Sequence, residues 1–120
     1  MKHRETVTSS QALAIAGAIK KMMAELEGLA KKSLLENVEE DEKDNLYVKV
    51  GQSSTNKMLI DFQIYNSATK AKVIKSYTII DLLRECSDIF LVNSLIDRDM
   101  KNLYKKSKEK VFKRDTVLFI

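Results

Sequence analysis

Proline is absent from all 120 residues, and glycine occurs only three times. Average usage of about 5% would place roughly six prolines in a chain of this length. Proline and glycine are what interrupt helices and strands, so this chain must fold into long elements joined by few tight turns. Its length suits one domain, 1–120, with a core that needs no disulfide.

Thr8-Ser9-Ser10-Gln11 offers a helix-opening capping box, after an arm of residues 1–7 expected to be flexible. The helix it opens should run to about Glu36. Along it Ile15, Ile19, Met22, Leu26 and Leu29 recur every three or four residues, a single apolar seam. Such a helix is about 40 Å long, more than a domain this small is wide. Part of it should therefore project, or pack on a second copy. Ala12, Ala16 and Gly17 would allow close approach, and the five seam residues are the expected dimer or partner interface.

The period then changes from 3.6 to 2. Leu46, Val48 and Val50 alternate with Tyr47 and Lys49, and Met58, Ile60, Phe62 and Ile64 alternate in a second run. A third strand is expected over Ala71 to Ile79. The polar loops Gly51–Asn56 and Asn66–Thr69 predict an antiparallel meander. A second capping box, Thr78 to Asp81, opens a short helix to about Cys86. A longer helix from Ile89 to Lys110 carries the apolar stripe Val92, Ile96, Met100, Leu103, Tyr104 and Val111. Residues 115–120 form a C-terminal strand or a docking tail. The expected fold is α+β: a long N-terminal helix, an antiparallel three- to four-stranded meander and a C-terminal helical pair with a basic face.

Chemistry is limited by what is missing. The only histidine is His3 in the N-terminal arm, and the only cysteine is Cys86, among apolar neighbours. A catalytic triad would have to be built on that flexible arm and is not expected, a cysteine-based zinc site is excluded, and Cys86 reads as a half-buried structural thiol. Asp97 and Asp99 are two apart and do not share a helix face. Gly51 to Lys57 resembles a phosphate-binding loop only superficially: Asn56 replaces the second glycine, Met58 the magnesium-holding hydroxyl, and a strand follows. Asp61 should lie on the wetter face of its strand. No enzyme activity, cofactor or metal is expected. The run Ala12 to Ile19 is too short to span a bilayer, and Glu5 with the polar stretch after it argues against a signal peptide. A cytoplasmic protein is expected.

What remains is charge. Glu36 to Asp44 holds six acids and one base, an acidic linker over 36–45, whereas Lys101 to Arg114 holds seven bases and one acid. Arg98, Lys101, Lys105 and Lys108 recur at helical spacing, with Lys106, Lys113 and Arg114 nearby. Cations arrayed in this way can track a phosphate backbone and bind it through counterion release. Aromatic residues do not interleave with them as base-stacking platforms require. The leading expectation is a homodimeric nucleic-acid-binding protein. The alternative is a small protein–protein interaction adaptor, regulator or inhibitor, for which a mobile element is one conceivable origin, acting through the long helix, the acidic stretch and the apolar tail.

With Leu46-Tyr47-Val48-Lys49-Val50 after a long helix, and a late helix ending Lys108-Glu109-Lys110, the chain resembles in element order the YbaB/EbfC group of small dimeric nucleoid-associated proteins. That group's glycine- and methionine-rich arms are missing. The order helix, three strands, helix is also similar to that of double-stranded RNA-binding domains, whose phosphate-gripping lysines open the last helix rather than close it.

Overall fold

The computed structural model describes residues 9–120. The order is α1 (Ser9–Asn37), a 3-10 helix (Glu40–Asn45), β1 (Leu46–Gln52), β2 (Leu59–Asn66), β3 (Ala71–Thr78), α2 (Ile79–Glu85), α3 (Ile89–Ser107) and β4 (Thr116–Phe119). Thr8, and with it the first capping box, lies outside the described residues, as do the arm 1–7 and His3.

The four strands form one sheet in the order β1-β2-β3-β4. The first three make the expected antiparallel meander, but β4 pairs with β3 in parallel. The sheet is therefore mixed, not antiparallel. The cause is topological: α2 and α3 carry the chain back across the sheet, so β4 enters from the same end as β3.

Side chains alternate between the two sheet faces. Val48, Val50, Ile60, Phe62, Ile64, Val73 and Leu118 meet the helices, joined by Leu26, Ala30 and Leu34 of α1 and Val92, Ile96, Met100 and Leu103 of α3. Where the helices cross, the small side chains of Ala30 and Ser33 are buried. Small residues there let two backbones approach closely. The edge of β1 is guarded by α1, whose Glu27 carboxylate accepts the Val50 N–H at 3.0 Å. A free strand edge would otherwise invite pairing with another chain.

Hydrogen bonds explain the element ends. The Thr78 hydroxyl accepts the Asp81 N–H at 3.1 Å, the predicted cap of α2. Asp88 caps α3 by accepting from Phe90 at 2.8 Å. That helix stops at Ser107 rather than Lys110, because Ser107 turns its hydroxyl onto the Tyr104 carbonyl and gives its own carbonyl to Thr69, both inside the core. Val111 thus falls beyond the helix and is exposed, not part of the apolar stripe. The loop after β1 is a hairpin connection, closed by Ser53 N–H to the Leu59 carbonyl and by the Asn56 side chain on the Met58 N–H.

Candidate functional site

The outer face of α3 collects the basic residues, but they are not equivalent. Opposite them, Val92, Leu95, Ile96, Met100 and Leu103 face the core, which turns Arg98, Lys101, Lys105 and Lys108 to solvent. Arg98 is diverted. Its guanidinium donates to the Tyr77 hydroxyl at 3.3 Å and to Asp99 Oδ1 at 3.4 Å. Both contacts raise its pKa further, locking in a charge already directed at the protein.

Lys108 donates to the Tyr104 hydroxyl at 3.0 Å and lies 3.7 Å from Glu42 of the acidic segment. Lys106 pairs with Glu109 at 3.2 Å. Lys113 and Arg114, exposed before β4, lend their carbonyls to Lys70 and Thr116. Like the side chains of Lys113 and Arg114, those of Lys101 and Lys105 make no ion pair or hydrogen bond to another described residue; they are exposed and stand one turn apart on α3. The expected acidic linker carries the 3-10 helix and partly serves itself, with Lys43 on Glu40 at 2.6 Å. Of the basic stripe it reaches only Lys108.

The α1 seam divides in two. Leu26 is buried, and Met22 and Leu29 pack against the same core. These residues do not present a free interface. Ile15 is 52% exposed and Leu13 74%, on the half of α1 that no other described element covers. A groove of about 650 Å³ runs along it, lined by Ala12, Ile15, Ala16, Ile19 and Met23, with Gln52 at the sheet end. A second apolar group, Ile80, Leu83, Ile89, Phe90 and Leu91, is exposed on α2 and the start of α3.

No cluster of three metal-binding side chains exists among the described residues, and no described helix is long and apolar enough to cross a membrane. Cys86 is half-buried and burial pushes its thiol pKa up, away from the reactive thiolate. Asp61 lies away from the helices, as alternation requires, but it is buried rather than wet. The register seats it between Gly51 and Ser76, and the Ser76 hydroxyl donates to it at 2.5 Å. An apolar cleft of about 310 Å³ separates Leu34 of α1 and Val38 just beyond it from Leu46 and Val48 of β1. It gathers no acid–base pair.

Sequence reasoning missed one constellation. Tyr47, Tyr65 and Phe119 belong to three strands, and all three point to the sheet face that bears no described helix. Only the alternation of each strand hints at this, and it does not say how the strands align. In comparison with known proteins, the chain matches no family model, no curated protein and no solved structure.

Proposed function

We propose that this chain is a non-enzymatic, homodimeric module that binds nucleic acid. The observation that carries the reading is that Lys101 and Lys105, two exposed cations one turn apart on α3, form no ion pair with a carboxylate among the described residues. Lys106, Lys108, Lys113 and Arg114 supply the surrounding positive field, and Arg98 serves the fold instead. Cations held so contact phosphate without regard to sequence, and the affinity falls steeply with salt. Dimerisation uses the projecting half of α1, where Leu13, Ile15 and Ile19 meet a second copy.

Electrophoretic shift with mixed DNA and RNA at two salt concentrations tests the reading. Binding that weakens with salt and is lost in the Lys101→Glu/Lys105→Glu variant supports it, and binding indifferent to that reversal removes it. The exposed group around Phe90 favours a second reading, a protein-binding adaptor. Under that reading the wild-type chain shifts no nucleic acid at either salt.

A further inference from the structure

The strand register sets two neighbouring rows of side chains on the sheet face opposite the helices. Tyr47, Tyr65, Lys72 and Val117 lie side by side across all four strands, followed by Lys49, Gln63, Ile74 and Phe119. Neighbouring strands are about 4.8 Å apart and same-face residues about 6.7 Å apart along a strand, so these rows make one continuous field. The field is aromatic and open: Tyr47 is 59% exposed and Phe119 74%. The Tyr47 and Tyr65 rings stand 6.3 Å apart, tilted by 35°.

Both charged residues within these two rows of the face are basic. They are Lys49 and Lys72, and Lys70 joins Lys113 at the margin of the face. Both nearby acids are already engaged, Asp61 with Ser76 beneath the surface and Asp115 with the Tyr65 hydroxyl at 2.6 Å. The second contact tethers the Tyr65 side chain by its tip. Flat rings between lysines, with both carboxylates held by hydroxyl donors, suit a ligand made of stacked planes joined by anions.

We propose that the open sheet face is a platform for single-stranded nucleic acid, on which Tyr47, Tyr65 and Phe119 stack bases while Lys49 and Lys72 meet phosphates. Single strands expose the π-faces that a duplex hides, and aromatic side chains hold them without sequence preference. The inference rests on the nucleic-acid reading above, narrows its ligand, and places the bases on the opposite layer from Lys101 and Lys105.

The test is fluorescence anisotropy with a labelled 20-nucleotide oligo(dT) strand and a labelled duplex of equal length, on the full chain. Tyr47→Ser/Phe119→Ser should weaken the single strand by at least about tenfold and change duplex binding by less than about twofold. Tyr47→Phe/Phe119→Trp should retain single-strand binding. Because the chain has no tryptophan and four tyrosines, oligo(dT) should also quench the intrinsic tyrosine emission. Single-strand affinity unchanged in the serine variant overturns the platform, even where Lys101→Glu/Lys105→Glu abolishes binding and the broader reading survives. A wild-type chain that binds neither strand overturns both. Serine substitutions that lower the mass seen by light scattering while leaving affinity intact assign the face to a second copy and also overturn the platform.

Discussion

The hydroxyl of Tyr77 on β3 donates a hydrogen bond to the carboxylate of Asp99 on α3, tying helix to sheet where the core meets solvent. Asp99 is 3% exposed and Tyr77 half-buried. Arg98 closes the cluster from outside. Removing one partner of a buried charged hydrogen bond strands the other, at about 1–3 kcal/mol. Tyr77→Phe should lower stability by that amount in urea denaturation without altering the fold by circular dichroism.

Tyr77 should also ionise late. Burial and the neighbouring Asp99 carboxylate both push its pKa up from the ordinary 10.0, outweighing the opposite pull of Arg98. A raised folded-state pKa means that the native state favours the protonated hydroxyl. Its contribution is complete below pH 10 and disappears as pH climbs through the folded value. Absorbance titration at alkaline pH should show one of the four tyrosines ionising only together with unfolding, and Tyr77→Phe should remove that step.

The basic stripe should respond unevenly to neutralisation. Lys101→Ala/Lys105→Ala removes two unpaired cations and should lower the salt slope of nucleic-acid binding by about two. Arg98→Ala should change affinity by less than about twofold and destabilise the fold instead, since its charge is already directed at Tyr77 and Asp99. Salt-dependent anisotropy beside urea denaturation separates the two effects.

The α1 seam should divide under mutation as it does in space. Leu26→Ala opens a hole in the core and should cost about 2–5 kcal/mol in denaturation. Leu13→Asp/Ile15→Asp touches no core residue and should leave the melting temperature of the monomer unchanged. Light scattering should show the wild type at twice the monomer mass and this variant at the monomer mass.

Lys70 holds a left-handed backbone, φ 61°, where the β2–β3 turn closes with its N–H on the Asn66 carbonyl at 2.8 Å. A β-branched side chain tolerates this conformation poorly. Lys70→Val should therefore destabilise by about 1–2 kcal/mol, and Lys70→Gly should match or exceed the wild type in the same urea series.

Local patterns were legible in the sequence, and relations between distant segments were not. Apolar spacing locates α1, the meander and α3 within a few residues, since burial of one face is the same constraint in sequence and in space. The direction of β4 is not a local property: Thr116 to Phe119 reads as a strand whichever way it runs, and only the path of α3 decides. Spacing likewise puts Arg98 and Lys101 on one side of a helix without revealing that Tyr77, on another element, claims the first and leaves the second. Tyr47 and Phe119 are separated by most of the chain, and register alone brings them onto one surface.

Placing β4 after α3 has a consequence for biosynthesis. Until residues 116–119 leave the ribosome, the outer edge of β3 has no neighbour, and its unpaired amides and carbonyls invite any other nascent strand. The newborn polypeptide is therefore most vulnerable to aggregation between the synthesis of β3 and that of β4, and a deletion of residues 116–120 would make that vulnerability permanent.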